Sequence, residues 1–129
     1  MIFTKTKLTG KIQRESEFQW RMTKAYKDLG WFVYKLPDAN MTTKPYDCIM
    51  VDTLGNTYHI ELKIIEADSI NIDKLRPNQH ASLKHISKFN RNAAIVWVWS
   101  KKHEDYKVME YLDFREAATE GGTVKLFDR

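Results

Sequence analysis

Several common architectures are excluded by what this chain lacks. It carries one cysteine, Cys48, in 129 residues, so no internal disulfide can staple it, and a reducing, cytoplasmic setting is expected. No apolar run reaches the ~18 residues of a membrane-spanning helix, and the opening Met-Ile-Phe-Thr-Lys-Thr-Lys lacks the apolar segment of a secretory signal, so no membrane partner is expected. No internal repeat, low-complexity stretch or linker divides the sequence, which predicts a single domain over 1–129. There is no GxxxxGK and no GxGxxG, which argues against nucleotide hydrolysis. The four histidines (His59, His80, His85 and His103) have no zinc-type spacing with cysteines. His80 and His85, five apart, do not share the i, i+4 face of a helical metal pair.

What is present is ordinary for a globular protein: 43% apolar and 29% charged residues, with a net charge of +4. The basic excess permits a polyanionic partner without requiring one. Lys5, Lys7, Lys11 and Arg14 form a basic stretch that could touch phosphates or simply be solvated. Phe18, Met22, Ala25, Tyr26 and Leu29 recur at helical spacing, predicting a helix over Ile12–Leu29 stopped by Gly30. Trp31–Leu36, Tyr46–Asp52 and Thr57–Ile65 read as strands, the last two joined at Leu54-Gly55-Asn56. Asp38–Lys44 reads as a loop. Glu66–Lys74 is a connection with a brief extended piece at Ser69–Ile72. Pro77 fits the first turn of a second helix whose buried face is Leu83, Ile86 and Phe89. Ala93–Trp99 is apolar throughout, as expected of a strand buried on both faces. Lys107–Phe114 reads as an edge strand and Arg115–Glu120 as a last helical turn. The sum is a mixed α/β or α+β sheet with packed helices.

One constellation carries chemistry. Asp47 opens one strand after Lys44-Pro45-Tyr46, and Glu61 and Lys63 lie two apart on the next. Alternation puts Glu61 and Lys63 on one face and Ile60, Leu62 and Ile64 on the other. Asp47 joins the Glu61 face if the connecting loop has an odd number of residues, as a three-residue Leu54-Gly55-Asn56 loop would. Facing carboxylates repel unless a cation or a raised pKa intervenes. Mg2+ suits such a pair, preferring oxygen ligands and keeping waters for substrate phosphates, and Mn2+ would substitute. A lysine beside the metal can orient water or offset transition-state charge. The bland alternative is a surface hairpin with an exposed Glu-Lys pair. Cys48 alternates away from Asp47 and reads as a small buried residue. Trp97 and Trp99 read as core or dimer interface.

The order helix, strand, Pro-Tyr-Asp, hairpin, Glu-Leu-Lys, helix, strand resembles the PD-(D/E)xK nuclease superfamily over roughly Gln13–Trp99, with Tyr46 inserted between the Pro and Asp. That resemblance implies a restriction-endonuclease-like αβββαβ core and metal-dependent phosphodiester cleavage in DNA. It implies Asp47 and Glu61 as metal ligands and Lys63 as the catalytic lysine. It also implies a first-helix glutamate near the metal. Glu15 shares the helical face of Phe18, Met22 and Tyr26, whereas Glu17 falls on the polar face, so Glu15 is the expected third ligand. A first-turn acid complementing the helix dipole is the alternative. Gln79 matches a catalytic-site glutamine or lysine at the start of the second helix; a solvated first-turn residue is its alternative. Ser69-Ile70-Asn71-Ile72, Leu75, Gln79-His80 and Thr42-Thr43 resemble RecU-type Holliday-junction resolvases. Arg14–Gln19 and Leu29-Gly30-Trp31 resemble the VRR-NUC branch. These imply branched DNA as partner and, since a four-way junction needs paired cuts, a homodimer. Tyr34, Trp97, Trp99, Tyr106 and Tyr111 are the aromatics expected to supply its interface.

Overall fold

The computed structural model describes residue 8, residues 10–37 and residues 44–128. Lys5, Lys7, most of the expected Asp38–Lys44 loop and the Thr42-Thr43 pair therefore lie outside the described residues. The chain runs through α1 (Glu15–Asp28), β1 (Phe32–Lys35), β2 (Cys48–Val51), β3 (Thr57–Ile65) and β4 (Ser69–Asn71). It continues with α2 (Pro77–Phe89), β5 (Ala94–Ser100), β6 (Asp105–Glu110), α3 (Tyr111–Glu116) and β7 (Thr123–Lys125).

A five-stranded sheet has the order β1-β2-β3-β5-β6, and β4 pairs with β7 in a separate ribbon. β1, β2 and β3 form an antiparallel meander. β3 and β5 are parallel, because α2 intervenes as the crossover. β6 returns antiparallel to β5. This is the mixed sheet flanked by helices expected of a restriction-endonuclease-like αβββαβ core.

The sheet divides the hydrophobic interior in two. Phe18, Met22 and Tyr26 of α1 share a cluster with Met50, Tyr58, Ile60, Leu62, Trp97 and Trp99. Leu83 of α2 and Tyr111 and Phe114 of α3 share another with Ala94, Val96 and Val98. β5 thus shows its bulk to α1 and its small residues to the other two helices. Every residue of β5 is buried, as its continuous apolar run predicts.

The hairpin between β2 and β3 differs by one residue from the sequence expectation. The loop is Thr53-Leu54-Gly55, closed by Gly55 N–H to Asp52 O at 3.0 Å and Asp52 N–H to Asn56 O at 2.9 Å. Gly55 takes the positive φ of 89° that this turn requires. Asp52 fixes the loop by accepting from the Leu54 and Asn56 N–H groups, both at 2.9 Å. The loop still has an odd number of residues, but its shift changes the register.

Three other expectations change. Lys107–Phe114 is not one strand: β6 ends at Glu110, and Tyr111 and Phe114, three apart and fully buried, begin the face of α3. Phe89 is 80% exposed, because the inward stripe of α2 is Gln79, Leu83 and Ser87 at four-residue spacing. Trp97, Trp99, Tyr106 and Tyr111 are core residues at 1% exposure or less, leaving Tyr34 alone of the five expected interface aromatics at the surface.

Candidate active site

The β2–β3 ladder ends at the pair Cys48 and Ile60, and the next residue, Asp47, brings its carboxylate beside that of Glu61. Asp47 is locked into this place by its backbone. Its N–H donates to Ile60 O and its carbonyl accepts from Leu36 N–H, both at 2.9 Å. Its side chain is held as well, since Oδ2 accepts from the Leu62 N–H at 2.8 Å. Lys63, two residues beyond Glu61 on the same face, brings Nζ to 3.4 Å from Glu61 Oε2.

Glu61 is 2% exposed. Burial, reinforced by the facing Asp47 carboxylate, raises its pKa well above the ordinary carboxylate range, with the Lys63 ammonium pulling the other way. Its Oε2 is served by Lys63 and by the Gln79 amide, whose Nε2 donates at 3.0 Å. Its Oε1 is buried and receives no donor group from the described residues; in the protonated acid that burial favours, a proton shared with Asp47 is the hydrogen bond left to this carboxyl. A buried acceptor without a donor costs free energy unless something binds it.

Gln79 is 4% exposed rather than solvated. While its Nε2 holds Glu61, its Oε1 accepts from the Arg76 backbone N–H at 2.9 Å at the start of α2. The glutamine thus bridges a helix N-terminus to a buried carboxylate. Pro77 at the first position of α2 sets the approach of that turn.

A cavity of about 290 Å³ opens over these groups, lined also by Glu15, Gln19, Lys35, Lys44 and Arg76. It lies beside the first turns of α1 and α2, whose helix dipoles favour an anion. Glu15 is exposed rather than tucked under the helix, because it is the first residue of α1 and stands at the cavity instead of over the sheet. Its Oε2 accepts from Ile64 N–H at 3.3 Å. Glu17 does not line the cavity: it caps Gln13 N–H at 3.1 Å and faces Arg21.

The structure therefore gathers Asp47, Glu61, Lys63, Gln79 and Glu15 around one cavity. Among the described residues no three His, Cys, Asp or Glu side chains converge as a ready-made metal cluster. Two facing carboxylates with an orphaned buried oxygen nevertheless fit Mg2+, which is commonly held through one or two carboxylates and water. Sequence reasoning gave no role to Lys44, Gln19, Lys35 or Arg76. Lys44, three residues before Asp47, is ion-paired to it at 3.3 Å. Gln19 was findable one helical turn after Glu15; its Nε2 donates to the Asp47 carbonyl at 3.4 Å.

No protein-family model matches the chain, and no curated protein matches it in sequence. Among solved structures it is similar to Hjc, a Holliday junction resolvase from the archaeal hyperthermophile Archaeoglobus fulgidus. The TM-score is 0.64 at 12% identity, over 85% of this chain and 87% of that one. At that identity the likeness is one of fold. The central sheet and its flanking helices have the resolvase's restriction-endonuclease-like architecture.

Proposed function

We propose that this protein is a metal-dependent DNA endonuclease selective for branched DNA, cutting as a homodimer in the manner of a Holliday-junction resolvase. The observation that carries the reading is the Asp47 carboxylate beside a buried Glu61 whose Oε1 receives no donor from the described residues, with Lys63 on the same face. A structural pair of carboxylates would be costly there; a cation-binding pair gives the burial a purpose.

In this reading Asp47 and Glu61 hold Mg2+ or Mn2+, with Glu15 lining the same cavity. The bound cation supplies a nucleophilic water and offsets charge on the scissile phosphate. Lys63 keeps its ammonium beside Glu61, where it orients the attacking water and stabilises the charge that grows on the phosphate oxygens. Gln79 fixes the Glu61 carboxylate from the other side. Lys35 and Arg76 line the approach, so a phosphodiester meets three acids in the company of four cations, Lys44 and Lys63 included. The metal would turn that balance strongly positive, which suits a polyanion.

The similarity to Hjc supports the resolvase branch over a VRR-NUC-like nickase, and a four-way junction of near two-fold symmetry calls for two sites related by a two-fold axis. The test is incubation with labelled four-way junction, linear duplex and single strand, each with and without Mg2+, beside light scattering of the protein alone and with junction. Paired cuts in opposing strands of the junction, only with metal and by a dimer, are expected. Equal nicking of linear duplex by a monomer would favour the nickase, and absence of cutting in every arm would overturn the enzyme.

A further inference from the structure

Asp47 and Glu61 are each paired with a lysine, but not in the same way. Lys63 shares Glu61 Oε2 with the Gln79 amide and leaves Oε1 open. On Asp47 the Leu62 N–H takes Oδ2, and Lys44 Nζ sits 3.3 Å from Oδ1. The ammonium therefore occupies the Asp47 oxygen that the backbone leaves over. This pair is well screened from solvent, with side chains 11% and 19% exposed.

We infer that Lys44 is an internal counter-ion that holds Asp47 in the metal-free site and is displaced when a divalent cation takes the carboxylate. The inference rests on the metal-site reading above. A cation can meet Glu61 at Oε1 without disturbing Lys63, but it reaches Asp47 through the oxygen on which Lys44 sits. Two cations on one oxygen repel each other strongly where water is scarce. Pro45 fixes φ immediately after Lys44, so the exchange falls to the long, flexible side chain of Lys44. The cavity around it already holds Lys35, Lys63 and Arg76. Among those cations, a displaced ammonium is best satisfied by a phosphate oxygen of the substrate. Lys44 thereby becomes a positioning residue: it offsets the charge of Asp47 before loading and offers a donor afterwards.

The test is a Mn2+ titration of the metal-free full chain, read from loss of the free-ion paramagnetic resonance signal, with circular dichroism as the check on folding. Lys44→Met keeps the stem and removes the charge, and it should bind Mn2+ about tenfold more tightly than wild type. Lys44→Gln repeats the charge removal in a polar side chain should the Met variant misfold. Lys44→Arg retains the charge and should bind as wild type does. Asp47→Asn should bind far more weakly. Wild-type or weaker affinity in both Lys44→Met and Lys44→Gln, with Asp47→Asn still impaired, overturns the counter-ion and leaves the metal site standing. Tighter binding by Lys44→Arg as well would also overturn it, since charge would not be the cause. Undiminished binding by Asp47→Asn removes the metal site and the counter-ion together.

Discussion

On one face of β3, Tyr58, Ile60 and Leu62 share a core cluster with Phe18, Met22 and Tyr26 of α1. On the other face, between Ile60 and Leu62, Glu61 is just as deeply buried, at 2% exposure against 1% for Leu62. Equal burial means opposite things. For Leu62 it is a gain, since apolar area leaves water and meets close-packed neighbours. For Glu61 it is a cost, only partly offset by Lys63 and Gln79, and one oxygen remains unserved. One face supplies stability, and the other holds chemical groups in a state that stability alone would not select.

Substitutions on the two faces should therefore fail in different ways. The largest contrast is expected between Glu61→Gln or Asp47→Asn and Leu62→Ala. The carboxylate changes should cut cleavage by about a thousandfold while the fold persists. Leu62→Ala should cost about 2–5 kcal/mol of unfolding free energy while the folded fraction still cleaves. Denaturant melts beside junction-cleavage rates measure both, and a Glu61→Gln protein that cuts undiminished would erase the distinction.

Lys63→Ala comes next, with single-turnover cleavage slowed by about a hundredfold and DNA affinity nearly kept, because its contribution is assigned to the transition state. Weakened binding with an unchanged single-turnover rate would make Lys63 a phosphate clamp. Smaller still is the effect of the first-helix acid. Glu15→Gln should slow cleavage more than Glu17→Gln, since only Glu15 lines the cavity; the reverse ranking in parallel rate assays would relocate the third acid.

The subtlest expectation concerns pH in metal-free buffer. Glu61 holds its proton more tightly folded than unfolded, because burial and Asp47 raise its pKa from the ordinary 4.5. The native state then binds more protons than the unfolded one, so this group's contribution is complete below 4.5 and is lost as pH rises toward the folded-state value. Melting curves of wild type should decline across that window, and those of Glu61→Gln should decline less. Identical slopes would show that Glu61 does not feel its burial.

Which parts were legible in the sequence follows from how local their causes are. The nine residues of β3 were placed to the residue, because alternation and a flanking turn are local signals. That Asp47 shares a face with Glu61 followed from loop parity; which β3 residue it meets did not, because the loop lies one residue earlier and shifts the register. The boundary at Glu110 was obscured because Tyr111 and Phe114 suit a strand as well as a helix, and only their joint burial against β5 decides. β7 leaves no mark in the sequence: Thr123–Lys125 is too short to signal itself and owes its conformation to β4. Lys44 escaped for a similar reason, since a lysine before a proline carries no signal until the acid three residues on is seen to bend back toward it.

The β4–β7 ribbon has a consequence for the order in which the molecule can be completed. β7 holds Ser69–Asn71 through strand pairing, and the Ile72 N–H reaches Gly122 O at 2.7 Å. Gly122 adopts a φ of 84°, and an added Cβ would come within 3.1 Å of Ile72, so a side chain here would push the two segments apart. Ile72 O in turn receives the His80 ring at 2.9 Å, next to Gln79. A ribosome makes Asp47, Glu61 and Lys63 long before it makes Thr123. The carboxylates can thus meet in a nascent chain that still lacks the strand supporting the entry to α2, and a segment translated some sixty residues after Lys63 completes the support beneath Gln79.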